Sequence, residues 1–274
     1  MSPTPVSSVG PASCGDANLA SYLRHVAHTS DGGSVSERPG ITLFAGAHNY
    51  PGAYTNGVIR TADPTVASPA NVLEAAQAFF RPLRRGYAVW VRTHADADLE
   101  AACLDAGMWI RPPEIGLPGV AIDRAIEMPS YDSDVRMERI VDDQGRRDYL
   151  HVVSAGWNVD AMPVPLQEKV LFSLASLDSP QVAVYVAYLD DQPASGCMTY
   201  VSDGCAGLYW ASTLPSARGK GLAKATFAAA CRDGFDMGAQ VATAQASAVG
   251  APIWQRLGFE VVTHYKRYLA KPPS

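Results

Sequence analysis

The sequence predicts an α/β protein in which mixed, mostly antiparallel sheets are flanked by helices. Three observations predict this class. Short β-type runs alternate with helical patterns along the chain, and glycine and proline mark the breaks between them. Hydrophobic residues make up 47% and charged residues 18% of the 274 residues, as in globular proteins with a sizeable core. The length allows one large domain or two of ordinary size.

The first half of the chain alternates helices with short strands. We expect residues 1–15 to be flexible and a first helix to follow a capping Asp16. The patterns then predict strands at 41–45, 57–61, 87–91 and 119–126, and helices from Pro69 and at 96–106. A polar, turn-rich link at 128–134 ends this half.

The second half is richer in strands. The patterns predict strands at 137–140, 182–189, 194–201, 207–213, 240–246, 258–263 and 265–269, and helices at 147–155, at 165–177, from Gly221 and at 249–257. The strands at 182–189 and 194–201 are expected to form a hairpin, with the strand at 207–213 antiparallel beside it.

Charge and cysteine content exclude several classes of protein. A net charge of −5 disfavours a general nucleic-acid binder, which usually presents a basic face. The five cysteines are scattered and lack ligand spacing, so we expect neither a disulfide framework nor a metal site. No run approaches 18 apolar residues, and the N-terminus lacks a signal-peptide pattern. We expect a cytoplasmic monomer or homodimer that binds no membrane.

A glycine-containing turn at residues 214–224 joins a β-type run directly to a long helical pattern. Because Gly219 and Gly221 lack a Cβ, the backbone there could turn tightly and aim several N–H groups at one phosphate. The start of the helix would add its own unpaired N–H groups and its positive dipole end, with Arg218 and Lys220 at the rim. An ordinary strand-to-helix turn with a glycine cap would have the same pattern.

Two motifs at this site resemble a known family. The segment Arg218-Gly-Lys-Gly-Leu-Ala223 resembles the (Arg/Gln)-x-x-Gly-x-(Gly/Ala) signature of the GNAT superfamily of acyl-CoA N-acyltransferases. Residues 247–259, Ser-Ala-Val-Gly-Ala-Pro-Ile-Trp-Gln-Arg-Leu-Gly-Phe, are similar to that family's later helix and Gly-Phe strand. The resemblance covers about residues 136–269. It implies acetyl-CoA as co-substrate, no metal, and a small-molecule amine as acceptor.

The resemblance also implies which residues bind acetyl-CoA. They are Ser212, Thr213, Leu214, Arg218, Gly219, Lys220, Gly221, Leu222, Ala223, Ser247 and Trp254. Trp254 stands where many family members carry a general-acid tyrosine, and an indole N–H cannot return a proton at neutral pH. Trp254 is therefore expected to pack along the cofactor or in the core.

The acid and base of the reaction are not apparent from the sequence. No acidic residue lies on the strand at 207–213, where some family members keep a glutamate base. The candidates are Tyr209, Tyr265 and Glu168, and His151 is a further one. Each also has a plain structural interpretation, as a strand residue or a solvent-exposed helix residue. A water relay to a partly deprotonated amine would need no dedicated base.

The first half looks like a degenerate copy of the second. Both end in the order strand, helix, Gly, strand, but residues 16–130 contain no R-x-x-G-x-G motif. We therefore predict tandem GNAT-like modules, with a degenerate domain at 16–130 and an acetyl-CoA-binding domain at 135–274. In the alternative interpretation, residues 1–130 form an unrelated α/β extension.

These observations favour an N-acetyltransferase that moves an acetyl group from acetyl-CoA to a primary amine by direct attack in a ternary complex. A non-catalytic acyl-CoA-sensing or partner-binding module is the alternative, favoured by Trp254 and the missing strand carboxylate. Aminoacyl transfer from charged tRNA is disfavoured by the acidic chain.

Overall fold

A computed structural model describes residues 10–49, 52–131, 134–156, 162–248 and 250–272. The helices are α1 (Pro11–Thr29), α2 (Pro69–Phe80), α3 (Ala97–Asp105), α4 (Asp143–Gly156), α5 (Val164–Val170), α6 (Leu174–Leu177), α7 (Leu222–Asp236) and α8 (Ala251–Arg256). The strands are β1 (Ser34–Arg38), β2 (Ile41–Ala45), β3 (Asn56–Arg60), β4 (Tyr87–Arg92), β5 (Trp109–Ile110), β6 (Leu117–Ile122), β7 (Val135–Arg139), β8 (Val182–Leu189), β9 (Gln192–Ser202), β10 (Cys205–Thr213), β11 (Val241–Gln245) and β12 (Glu260–Ala270).

The strands form one continuous mixed sheet instead of two separate ones. Its order is β1-β2-β3-β4-β12-β6-β11-β10-β9-β8-β7, and the short β5 pairs with β12 outside this path. The last strand of each half crosses to the other half, because β12 pairs with β4 and β6 pairs with β11. The two halves are therefore interlocked through their final strands.

The two halves repeat the same order of elements. The first half contains, in order, β1, β2, β3, α2, β4, α3 and β6. The second half repeats this order with β8, β9, β10, α7, β11, α8 and β12. In the described part of the chain, β3 and β4 pair in parallel, β10 and β11 do the same, and the other pairs are antiparallel. The tandem α/β prediction is confirmed.

Helices cover both faces of the sheet. On one face α2 and α3 pack on the first half and α7 and α8 on the second, around aliphatic and small side chains. On the other face lie α4 and α1, and α1 crosses the middle of the sheet from β2 to β9 and β10. Its side chains Leu19, Tyr22 and Leu23 are fully buried, so this helix joins the cores of the two halves.

Several predicted boundaries differ from the observed ones. Helix α1 begins at Pro11, before the predicted start, and Asp16 is a buried residue inside it instead of its cap. Residues 1–9 of the predicted flexible N-terminus lie outside the described residues. Strand β12 runs unbroken through the predicted gap between two closing strands, because it pairs with strands on both sides.

Candidate active site

A gap opens in the sheet between β10 and β11. The two strands pair in parallel from Cys205 opposite Val241 to Gly207 opposite Thr243, and the pairing ends there. The register of β10 against β9 also shifts between Tyr209 and Ser212, as in a β-bulge. The gap contains a cavity of about 510 Å³.

The cavity passes through the sheet. On one face its walls come from α7 and α8, and on the other they include Gly156 at the end of α4 and Trp210. A ligand in the gap would therefore be within reach of a second molecule that approaches from the α4 face. This is the arrangement that a two-substrate reaction requires.

The loop before α7 forms one end of the cavity. Gly219 and Gly221 adopt φ values of +81° and +77°, which side chains rarely tolerate. A Cβ at either position would meet nothing within 4 Å, so the space around both is open. No side chain caps α7, and its first helical hydrogen bond runs from the Ala225 N–H to the Gly221 carbonyl. The preceding N–H groups and the dipole of this helix suit an anion such as a diphosphate.

Nine of the eleven residues predicted to bind acetyl-CoA line this cavity. The loop and α7 contribute Arg218, Gly219, Gly221, Leu222 and Ala223, and the strand end and the α8 region contribute Ser212, Thr213, Ser247 and Trp254. Leu214 and Lys220 do not line it. The Leu214 N–H is already bonded to the Ala194 carbonyl at 2.9 Å, and Lys220 is exposed.

The end of β10 is held in place by hydroxyl groups. Ser195 Oγ donates to the Ser212 carbonyl oxygen at 2.9 Å, and Ser212 Oγ donates to the Val152 carbonyl of α4 at 3.2 Å. A Cβ at Gly156 would lie 1.8 Å from Ser212 Oγ, so only glycine permits this approach of α4 to the strand. The strand end is therefore fixed before any ligand arrives.

Trp254 forms a wall of the cavity and also belongs to the core. Its ring stacks on Phe227 of α7 with 4.2 Å between ring centroids and an interplanar angle of 3°, and only 4% of the residue is exposed. Ser247 Oγ accepts the Gly250 N–H at 3.0 Å, which orders the chain at the start of α8. The sequence did not predict Phe227 as a residue of the cavity, although it lies on the apolar face of α7.

The three residues proposed as acid or base do not line the cavity. Tyr209 points towards α1, where its hydroxyl donates to Asn18 Oδ1 at 2.8 Å and its ring stacks on Tyr22. The Tyr265 hydroxyl donates to Asp16 Oδ1 at 2.9 Å. Burial raises the pKa of both tyrosines well above the ordinary value. Glu168 is exposed on α5.

Tyr209 and Tyr265 therefore lie in the core and outside the described lining of the cavity, and their roles as acid or base stay predictions. Side chains alternate across a strand, so Tyr209 faces α1 while its neighbour Leu208 faces the cavity. His151 is also exposed on α4. Among the described residues that line the cavity, Arg218 has the only ionisable side chain. It stands at the loop, beside the expected position of the phosphates.

The corresponding gap in the first half, between β3 and β4, is filled. Arg60 at the end of β3 has a side chain that is 0% exposed. It donates to Asp96 Oδ1 at 2.9 Å and to Asp98 Oδ1 at 2.6 Å, and also to the carbonyls of Ala67 and Ala95, both at 3.2 Å. Burial disfavours the charge of Arg60, but the bonds to the two carboxylates outweigh it and raise its pKa.

The described residues contain no group of three or more His, Cys, Asp or Glu side chains that could hold a metal ion. All five cysteines are free and buried. None of the helices in the described ranges has the length and apolar character needed to cross a bilayer.

Comparison with known proteins points to one family. Residues 124–243 match the sequence profile described as "Acetyltransferase (GNAT) domain". No curated protein matches the chain. Among solved structures, a GCN5-related N-acetyltransferase from Kribbella flavida is 17% identical, with a TM-score of 0.70 over 95% of this chain and 96% of that one.

Two other solved structures share the fold at lower identity. A tandem GNAT protein from the clavulanic acid biosynthesis pathway is 10% identical, with a TM-score of 0.61 over 94% of this chain and 96% of that one. A GCN5-related N-acetyltransferase from Sphaerobacter thermophilus is 11% identical, with a TM-score of 0.58 over 86% and 82% of the two chains. The similarity to the tandem protein extends over both halves of the molecule.

Proposed function

We propose that the chain, whose residues 124–243 match the profile of a GNAT acetyltransferase domain, is an acyltransferase of the tandem GNAT type that acetylates the primary amine of a small molecule. The observation that carries the proposal is the open loop at Gly219 and Gly221, joined to a cavity that passes through the sheet. An anion-binding helix start beside a two-sided cavity suits a nucleotide-linked acyl donor and a separate acceptor.

In this proposal acetyl-CoA lies along the cavity with its diphosphate at residues 218–223. Backbone N–H groups would bind the diphosphate, and Arg218 would add positive charge. The arm that bears the thioester would run past Ser212 and Thr213, with Trp254 and Phe227 as the apolar wall opposite. The acetyl group would then lie near Trp210, where the cavity reaches the α4 face.

The reaction is a direct transfer between two bound molecules. The neutral amine nitrogen forms a C–N bond to the thioester carbonyl carbon, the C–S bond breaks, and the nitrogen gives up a proton as the thiolate becomes a thiol. Because Arg218 has the only ionisable side chain in the part of the cavity lining that the structure describes, we attribute the rate mainly to proximity and orientation. The acceptor amine loses its first proton to water before the attack.

The same cavity lining also suits a second function, the binding of acyl-CoA without turnover. The observation in its favour is that no described residue of the lining has a carboxylate, imidazole or phenol side chain. Incubation with acetyl-CoA and a panel of primary amines distinguishes the two functions. Free thiol and acetylated amine in equal amounts would support transfer, whereas tight binding of acetyl-CoA with neither product would favour the sensing module.

A further inference from the structure

One side chain of β9, Ser195, contacts the end of β10 and the start of α7 together. It is 0% exposed and is not among the described residues that line the cavity. Its Oγ lies 2.9 Å from the Ser212 carbonyl oxygen, 2.8 Å from Thr213 Oγ1 and 3.4 Å from Thr226 Oγ1 of α7. Ser212 and Thr213 both line the cavity. Ser195 therefore supports residues of the cavity wall without belonging to the wall.

The number of protons in this cluster fixes the direction of its hydrogen bonds. A serine hydroxyl has one proton to donate and two lone pairs that accept. A carbonyl oxygen only accepts, so the Ser195 proton goes to the Ser212 carbonyl. The Thr213 hydroxyl then donates its own proton to Ser195 Oγ. Thr226 Oγ1 donates within α7, to the Leu222 carbonyl at 3.2 Å. Ser195 thus holds both the backbone and the side chain at the end of β10.

These bonds set the orientation of the trans peptide between Ser212 and Thr213. The C=O and N–H of a trans peptide point in opposite directions. Because the Ser212 carbonyl points towards β9, the Thr213 N–H points away from β9. The next residue, Leu214, again donates its N–H to β9, to the Ala194 carbonyl, as the alternation along an antiparallel strand requires. The pairing of β10 with β11 has ended before this point, so the Thr213 N–H points into the gap between them.

An N–H in this position can donate to a carbonyl oxygen of a ligand in the gap. In the proposed function, the arm that bears the thioester runs past Ser212 and Thr213. Negative charge develops on the thioester oxygen when the amine attacks the carbonyl carbon. A donor stabilises that charge most when it is already aimed at the oxygen before the reaction. The group that fixes this peptide would therefore affect the reaction without contact with either substrate.

We propose that Ser195 is a positioning residue for the acetyl transfer. It holds the Ser212–Thr213 peptide so that the Thr213 N–H donates to the thioester carbonyl oxygen. This inference rests on the proposed function and adds a residue outside the cavity lining to the same site. Loss of the Ser195 hydroxyl would release the Ser212 carbonyl and the Thr213 hydroxyl together.

Infrared spectroscopy of bound acetyl-CoA, labelled with ¹³C at the thioester carbonyl, tests the inference without an acceptor. A hydrogen bond to the carbonyl oxygen lowers its stretching frequency, so we expect a lower frequency in the wild-type complex than in free acetyl-CoA. In Ser195→Ala the frequency should return most of the way to the free value. The Kd of acetyl-CoA, measured by calorimetry, should stay within about threefold, because the loop at 218–223 is unchanged.

A second substitution keeps the test available if the alanine variant does not fold. Ser195→Cys has nearly the same size, but its S–H is a weak donor, so its frequency should lie between those of wild type and free acetyl-CoA. Ser202→Ala is the matched control on β9. Ser202 is 8% exposed, accepts a bond from Asn18 Nδ2 at 3.1 Å, and pairs with Cys205 at the opposite end of β10. This variant should keep the wild-type frequency.

Three results would overturn the role of Ser195. These are an unchanged frequency in a folded Ser195 variant, an equal change in Ser202→Ala, and a wild-type complex with the frequency of free acetyl-CoA. Failure of the wild-type protein to bind acetyl-CoA is a separate result, and it would overturn the proposed function itself.

Discussion

The two halves of the molecule have the same element order and the same parallel strand pair, but their gaps differ. Between β10 and β11 the gap is a cavity of about 510 Å³, and between β3 and β4 it holds the buried guanidinium of Arg60. The helix that follows each gap differs as well. α7 begins at a left-handed glycine without a side-chain cap, whereas Ser68 Oγ at the start of α2 accepts the Asn71 N–H at 3.3 Å.

The comparison shows that the fold can be kept while the residues in the gap differ. The first half keeps the strands and helices of the second, yet it uses its gap for a salt-bridge network instead of a ligand. Asp96 accepts bonds from the Arg60 and Arg92 side chains and from the Arg92 N–H. The first half thus has a capped helix start and a filled gap at the place where the second half has an uncapped helix start and a cavity. In the proposed function, binding therefore depends on the few residues that line the gap of the second half.

Removal of the Arg60 side chain should have the largest effect on stability. Arg60→Ala leaves the 0% exposed carboxylate of Asp96 short of a partner, and we expect it to lower the unfolding free energy by about 3–5 kcal/mol. Urea titration measures this change. Arg24→Ala removes an exposed pair with Glu37 and should cost less than about 1 kcal/mol. Equal losses in the two variants would show that the filled gap has no structural role.

The next effect concerns stability in acid. Burial opposes ionisation of Asp96, but the hydrogen bonds from Arg92 and Arg60 outweigh it, so its pKa in the folded state is below the ordinary 3.8. A depressed carboxyl pKa gives stability that is present above 3.8 and is lost as the pH falls through the folded value. Urea titrations from about pH 7 to about pH 2.5 should show this loss. The loss should be shallower in Arg60→Ala, and a loss of equal depth there would contradict the account.

A smaller effect is expected from removal of the Tyr265 hydroxyl. Tyr265→Phe deletes a hydrogen bond to the buried Asp16, and we expect a loss of about 1.5–3 kcal/mol in unfolding free energy. Because Tyr265 does not line the cavity, kcat for acetyl transfer should stay within about twofold of wild type. A large fall in kcat with normal stability would restore Tyr265 as a catalytic residue.

The smallest effect is expected at Tyr209. Its hydroxyl donates to the neutral amide of Asn18, so Tyr209→Phe should cost about 0.5–1.5 kcal/mol while the ring keeps its stacking on Tyr22. The pH profile of kcat/KM should remain a single rising limb set by the acceptor amine. A bell-shaped wild-type profile that loses one limb in this variant would identify Tyr209 as the general acid.

The loop before α7, at residues 218–221, could be predicted from the sequence because the residues that determine its shape are adjacent in the chain. Two glycines between a strand and a helix fix the turn at Gly219 and Gly221, and the later Ser247 and Trp254 follow from a contiguous motif. The hairpin of β8 and β9 was predicted for the same reason and is confirmed.

Other features depend on contacts between residues far apart in the chain, and the sequence does not reveal them. The exchange of β12 and β6 requires each strand to find its partner in the other half. The burial of Arg60 depends on carboxylates 36 and 38 residues away. The direction of Trp210 depends on a bulge, which has no pattern in this strand.

Titration of acetyl-CoA into the protein by calorimetry tests the central claim most directly. We predict one binding site per chain, with affinity at least about a hundredfold weaker, or about 2.7 kcal/mol, in Gly221→Val. Gly238→Val is the matched control, because Gly238 also has a positive φ, +98°, and open space around it, but it follows the far end of α7. That variant should bind like wild type. Two sites per chain, or equal affinities in the two variants, would contradict the account.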